Sequence, residues 1–487
     1  MRNIFKRIED NHYLPPGTPG HGFHGYLDTN QGNVTIWDNQ TDMLSVLSTI
    51  SANLGQSPSQ ILSNLVADVN SASPSRDQSQ GVFGQTVHVD ASNRRFSSRD
   101  YILSTKSATK PNGSPRYPLT IKLNTLATKV LFSTPPSHPG APPKPKATAV
   151  EFLTGASLYR ADPRSSSNSG TPGTAYARKE IILSGGTFNT PQLLKLSGIG
   201  PAAELAVHNI SVLVDLPGVG SSLQDNHEVP LVAQASRAFV SPPPNPNDPA
   251  CTFGFPPDPC VDLWRQGQGP YARISLGDSI FRKSANATER DMFMLGSTFA
   301  IRGFWPPTES VVFDGPETFA LSTVKIHPRS TRGEVRLKSA DPRDVVEVNF
   351  KLFEAGEAEE DLDAYVDTVK WARRMFAQVG GSIGPLTRVE PPCVGTMGPD
   401  GGCDDESDRE WIKSQIFGHH ATSTCKIGAE GDPMAVLDGK LRVRGVRGLR
   451  VVDASAFPRV PGPFPVLPTY MLSEMGSLKV LADAWSW

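Results

Sequence analysis

The stretch Lys179–Gly200 constrains the fold more than any other part of the chain. Lys179-Glu-Ile-Ile-Leu183 reads as a short apolar strand, and Ser184-Gly185-Gly186 turns the chain after it. Thr190-Pro191-Gln-Leu-Leu-Lys-Leu-Ser197-Gly198 then predicts a helix, with Thr190 as its cap, Pro191 at its first position and Gly198 as its stop. A buried strand passed through a glycine turn into a helix is the building unit of α/β proteins. The same alternation continues. Pro201–His208 predicts a second helix and Val212–Asp215 a following strand. Glu334–Lys338 alternates like a half-buried strand, and Leu362, Tyr365, Val366, Val369 and Phe376 share one face of a helix from about 357 to 378. Leu441–Val443, Leu449–Asp453 and a helix from about 469 to 484 close the chain. No repeat of 20–50 residues is visible, which excludes a solenoid or propeller.

Proline marks what lies outside this scaffold. Ser133–Ala147 carries six prolines, Ser241–Cys260 carries eight, and Ala161–Thr174 is rich in Ser and Gly. Such density cannot enter central strands or helix interiors, so all three are expected as surface loops. The 43 glycines and 44 prolines among 487 residues still fall short of a low-complexity composition. A net charge of −2 offers no basic stripe for nucleic acid or an anionic membrane. No apolar run reaches the roughly 18 residues that a membrane span needs. Met1–Asp10 carries charge where a signal peptide would be apolar, so the sequence assigns no localisation.

Cys251 and Cys260 bracket one loop, Cys393 and Cys403 another, and Cys425 is left over. Close pairs in loops suit local disulfides and an oxidising compartment; free thiols in a reducing one remain the alternative. N-x-S/T acceptors at Asn33, Asn39, Asn112, Asn209 and Asn286 would suit glycosylation in the former case. The cysteine spacings do not match a zinc site, and no metal is expected.

The strong catalytic motifs are absent. There is no G-x-S-x-G, H-E-x-x-H or G-x-x-x-x-G-K-[ST]. The one G-x-G-x-x-[GA] match, Gly267-Gln-Gly-Pro-Tyr-Ala272, follows Trp264-Arg-Gln rather than a strand and carries Pro270 where an N–H should face phosphate. It reads as a surface turn.

What remains is a set of separated blocks: Gly186–Gly200, Leu216-Pro-Gly-Val-Gly-Ser-Ser-Leu-Gln-Asp225, Arg332–Pro342, His420-Ala-Thr-Ser-Thr-Cys-Lys-Ile-Gly428 and Val452-Asp-Ala-Ser-Ala-Phe-Pro458. In this order they resemble the glucose–methanol–choline (GMC) oxidoreductases. Arg459–Pro465 looks most like fungal members acting on aryl or polyketide-derived alcohols. The resemblance implies FAD as cofactor, a small-molecule alcohol as substrate, and oxygen or another acceptor to reoxidise the flavin. It implies an α/β (α+β) fold: a Rossmann-like FAD domain at 116–228 and 412–487, interleaved with an antiparallel-sheet substrate domain at 1–115 and 229–411.

By the same resemblance, His420 is the base that takes the hydroxyl proton while hydride passes to flavin N5, a task that suits imidazole. His419 beside it is expected to pack. Asp453 and Ala454 would contact FAD, Ala127 its adenine end, and Pro465 and Val466 the flavin ring. Two departures stand out. The slot where the family places a second His or Asn is Phe464, and 455–470 contains neither residue. The family's opening strand, glycine-rich phosphate loop and helix have no counterpart in this sequence, which makes the Rossmann-like domain incomplete. One expectation is therefore a flavin-dependent alcohol dehydrogenase or oxidase whose sequence is shortened. The other is a catalytically impaired homologue with a binding or regulatory role. Hydrolysis through His420 lacks a recognisable nucleophile.

Overall fold

His227–Gln234 and Thr318–Lys325 are buried along almost their whole length and pair antiparallel, from Glu228 opposite Val324 to Gln234 opposite Thr318. They form the middle of an antiparallel sheet with the order Thr387–Glu390, His227–Gln234, Thr318–Lys325, Met292–Ser297, Asp278–Arg282, Gly81–Gly84. Phe281, Phe293 and Val324 cluster on one face. The other face carries the helix Glu359–Gln378, which buries the five apolar residues expected from its period. Phe376 meets Phe319 edge-on at 6.1 Å, and the Tyr365 hydroxyl donates to the His227 carbonyl at 2.5 Å. Both strands are buried on both faces although they carry His227, Glu228, Thr318, Ser322, Thr323 and Lys325 among their apolar residues.

The structure, a computed structural model, describes all residues except 33, 38, 134–143, 166–168, 241–248, 253–255, 273–277, 305–313, 355, 357–358 and 486–487. The sequon at Asn33 and much of the loops expected at Ser133–Ala147 and Ser241–Cys260 therefore lie outside the described residues. The chain falls into two compact units: 1–119, 227–326 and 360–418 form one, and 120–226, 327–359 and 419–487 the other. The antiparallel sheet above belongs to the first unit. The stretch 327–359, which the sequence boundaries put with 229–411, clusters instead with the second unit. There Gly333–Arg336 pairs with Ser221–Leu223, and the Lys195 ammonium donates to the Val335 carbonyl at 2.6 Å.

The second unit holds the expected parallel elements as short pairs. Ile181–Leu183 runs parallel to Leu449–Val451, and Ile199–Gly200 parallel to Val214–Asp215. A three-stranded antiparallel sheet, Thr125–Ser133, Lys146–Thr154 and Thr171–Tyr176, packs into the same core through Val130 and Ala147, with Phe132 and Val150 against it. Thr171–Tyr176 begins inside the stretch expected as a Ser/Gly loop; it is an exposed edge strand, where Pro172 is tolerated. The helix after Leu183 also differs from expectation. It starts at Gly186, so Pro191 lies in its interior rather than at its first position. Proline forfeits the bond to the carbonyl four residues back. That carbonyl, of Thr187, is taken up by the Thr424 hydroxyl at 2.6 Å.

Cys251–Cys260 and Cys393–Cys403 are disulfide-bonded, and Cys425 is buried and unpaired. Among the described residues no helix is long and apolar enough to cross a membrane.

Candidate active site

Within the second unit, the segment from His419 to Gly428 is held on three sides. On one side it pairs with the end of the Leu216–Asp225 block: Thr422 and Gln224 exchange backbone bonds at 2.8 and 3.2 Å, and the Gly220 N–H donates to the Thr424 carbonyl. On the other, Ser423, Cys425 and Ile427 donate to the carbonyls of Ala454, Ser455 and Ala456. Below, the Thr187 hydroxyl donates to the Ala421 carbonyl at 2.7 Å. Ser423 has φ +78°, a conformation a serine adopts only when its surroundings impose it. The ladder on either side supplies that constraint.

His420 stands at the start of this clamped segment. Its N–H donates to the Asp225 Oδ1 at 2.9 Å, and Asp225 is fully buried. The ring touches two others: His419 at 4.1 Å between centroids, and Phe464 at 5.1 Å in an edge-to-face arrangement. Its Nδ1 is sealed from solvent without a hydrogen-bond partner among the described residues. Burial, and after it the charge of His419, pushes the His420 pKa down to about 4. The ring is accordingly neutral at physiological pH, the form that accepts a proton. Phe464 is 39% exposed, and its ring meets a half-buried His420.

The other residues singled out from sequence divide. Asp453 is 6% exposed and both its carboxylate oxygens are spent within the protein. Oδ2 accepts from the Gly186 N–H at 2.9 Å and the Thr190 hydroxyl at 2.6 Å. Oδ1 accepts from the N–H and hydroxyl of Ser455 at 2.8 and 2.5 Å. Gly186 presents its N–H from φ +81°, where a side chain would be strained. The carboxylate thus ties the start of the helix Gly186–Leu196 to the turn Ala454–Ala456, and the Ala454 N–H is left outside that set of bonds. Pro465 and Val466 open the helix Val466–Trp485; the Pro465 carbonyl accepts from the N–H and hydroxyl of Thr469. Ala127 lies elsewhere, exposed at a bulge in the strand Thr125–Ser133.

Asp225 is the residue that sequence reading named within a block but gave no role. Its signal was position alone, at the end of the Leu216–Asp225 block, because nothing local indicates that it reaches a backbone 195 residues away.

The N-terminal model of the GMC oxidoreductase family matches residues 65–228, and its C-terminal model matches 328–473. The chain belongs to the GMC oxidoreductase family. The second match contains His420, Asp453 and Phe464 together. A glucose methanol choline oxidoreductase of Aspergillus terreus is 31% identical over 383 residues, covering 75% of this chain and 55% of the relative. Choline oxidase of Arthrobacter globiformis is 33% identical over 304 residues, covering 61% and 48%. This GMC chain thus spans about half the length of the curated relatives it matches. Among solved structures, formate oxidase from Aspergillus oryzae RIB40, in work on FAD modification, superposes with a TM-score of 0.72 at 18% identity, over 100% of this chain and 78% of that one. A fungal aryl-alcohol oxidase superposes with 0.67 at 18%, over 99% and 79%. At that identity the structures establish the fold alone.

Proposed function

We propose that the protein oxidises an alcohol to a carbonyl with FAD as bound oxidant and His420 as the base that takes the hydroxyl proton. The observation that carries this reading is the neutral His420 ring, set beside Phe464 on a backbone clamped from three sides. FAD, when bound, supplies a two-electron acceptor for the hydride that leaves the carbinol carbon. The chain's residues fit the flavin end of that cofactor. In the first turn of the helix Val466–Trp485 Pro468 has no N–H and Thr469 bonds the Pro465 carbonyl, so Val466 and Leu467 carry the N–H groups at the positive end of the helix dipole, which favours negative charge. The Ala454 N–H offers a further donor. Asp453 would act through its hold on Gly186 and Ser455, because its own oxygens are engaged. Ala127 is assigned to the adenine end by resemblance only.

His420 removes the proton because its neutral imidazole, its pKa held below the usual range by burial, has a lone pair to accept it. Asp225 fixes the backbone from which the ring projects. Phe464 provides an apolar edge beside the ring in place of a hydrogen-bonding group, which supports an aryl or otherwise apolar alcohol as substrate. Oxygen or another acceptor would complete the cycle. The test is the visible absorption of the purified chain before and after incubation with FAD and dialysis, followed by turnover on aryl alcohols. A retained flavin band with turnover supports the reading. A chain that retains no flavin after reconstitution sinks it, and leaves the second reading, an impaired homologue with a binding role, which the engaged Asp453 carboxylate and Phe464 both favour.

A further inference from the structure

In the first unit, an imidazole and two carboxylates meet on each side of the short strand Glu9–Asn11, and the two sets are wired differently. On the inner side, His21 lies between Glu9 and Asp68. Its Nδ1 is 3.1 Å from both Glu9 oxygens and its Nε2 is 3.0 Å from the Asp68 Oδ2. Each nitrogen serves one carboxylate, and the Tyr13 hydroxyl and Asn11 amide complete the set. This is a closed charge cluster with nothing left over.

The outer side has the same composition and the opposite geometry. Glu9–Asn11 pairs in parallel with Leu27–Gln31, and the register sets Asp10 directly opposite Asp28. His12 lies two residues beyond Asp10, and its N–H donates to the Thr29 carbonyl, so the pairing carries on through it. Alternation along a strand therefore puts Asp10 and His12 on one face together with Asp28. Here a single nitrogen faces both carboxylates: His12 Nε2 is 2.6 Å from the Asp28 Oδ1 and 4.0 Å from the Asp10 Oδ2. One ligand atom from each residue lies within 4.8 Å of the others. Carboxylates directly opposite each other destabilise a ladder. One imidazole nitrogen carries at most one proton, so His12 cannot bridge the two as His21 does on the inner side.

We propose that Asp10, His12 and Asp28 bind a divalent transition-metal ion of the zinc or manganese type. Donor atoms around a tetrahedral ion stand about 3.3 Å apart, and the 2.6 and 4.0 Å separations here straddle that spacing. An imidazole nitrogen with two carboxylate oxygens suits these ions; Ca²⁺ needs six to eight oxygens, and a copper(I) site would want thiolate or thioether. The three side chains are 20–33% exposed, so the ion can enter and water can complete its shell. The ion would clip the first strand to the second, a role independent of any reaction at His420.

The test uses the full chain, stripped with EDTA, dialysed, and titrated calorimetrically with ZnCl₂ and, separately, MnCl₂. One equivalent of at least one of these ions is expected to bind the wild type at least tenfold more tightly than it binds His12→Gln or Asp28→Asn. The melting temperature should rise with that ion only in the wild type. Asp10→Asn removes the like-charge pair, so in EDTA it should melt no lower than wild type while losing the response; it keeps the test readable should His12→Gln misfold. Equal affinity and stoichiometry in wild type and the folded variants, or no binding of either ion by the wild type, would overturn the proposal.

Discussion

His21 in the first unit and His420 in the second are both withdrawn from solvent, and their protonation is driven in opposite directions. For His21, burial alone would lower the pKa, but the hydrogen bonds it donates to Asp68 and Glu9 outweigh it and push it up to about 9. For His420, burial acts unopposed, the neighbouring His419 adds to it, and the pKa falls to about 4. The lesson is that partners, rather than depth, decide whether a buried imidazole is a cation or a base. His21 is a cation at neutral pH that ties the strand Glu9–Asn11 to Asp68. His420 is kept in the form that can accept a proton.

The sharpest way to break this contrast is to remove the base. His420→Ala should lower turnover by about 10²–10⁴-fold, the ordinary worth of a positioned general base. Bound flavin, read from its visible band, should be unchanged. A variant that turns over at the wild-type rate would take His420 out of the reaction.

Removing the cation should act on stability instead. His21→Gln leaves a buried Glu9 and a half-buried Asp68 without their counter-charge, and breaking such a cluster costs up to about 3–5 kcal/mol. Urea unfolding at pH 7 measures it; a loss under about 1 kcal/mol would mean that the two carboxylates are not held by charge. Linkage gives the pH dependence its sign. His21, with a raised pKa, contributes stability present below the ordinary imidazole range and lost as pH rises toward about 9. His420, lowered to about 4, and His227, lowered by burial to about 3, make the unfolded chain bind more protons in acid, so stability falls as pH drops below about 6.5. Unfolding midpoints measured from pH 4.5 to 9.5 should thus decline on both sides. His21→Gln should flatten only the alkaline limb.

The same two sites mark the limits of sequence reading. The helix Glu359–Gln378 is legible because its apolar residues repeat with the helical period, and the strand Ile181–Leu183 because it is apolar and is followed by Ser184-Gly185-Gly186. Pro191 sits inside the helix rather than at its start, the local rule, because the hydroxyl that permits it comes from Thr424, 237 residues beyond Thr187. His420 and Phe464 were singled out through block resemblance, and the structure brings their rings together. The carboxylate oxygens of Asp453, assigned to FAD by resemblance, bond Gly186, Thr190 and Ser455. The His21 cluster was not read at all. Its members sit in short strands and loops without periodicity, and their meeting depends on tertiary contacts such as His21 with Asp68, 47 residues apart.

A finer test of the His420 environment is its pH profile. Since His419 lowers the pKa of His420, His419→Asn should move the rising limb of kcat/KM to higher pH and leave its plateau nearly unchanged. A limb that stays in place would assign the shift to burial alone.

The smallest effect expected is at Phe464. Its ring meets His420 edge-on, a contact worth about 0.5–1.5 kcal/mol beyond simple burial. A substrate ring stacked on the same side chain would gain a similar amount, up to about tenfold in KM. Phe464→Asn exchanges that surface for a donor able to stabilise charge on the substrate oxygen. It should raise KM for an aryl alcohol by up to about tenfold, and raise kcat for a small aliphatic alcohol by a few-fold. Phe464→Leu separates the two causes, because it removes the ring without adding a donor: it should reproduce the KM change and leave kcat alone. If Phe464→Asn raises kcat while the aryl KM stays fixed in both variants, Phe464 is no substrate wall, and its ring serves only to hold the imidazole of His420.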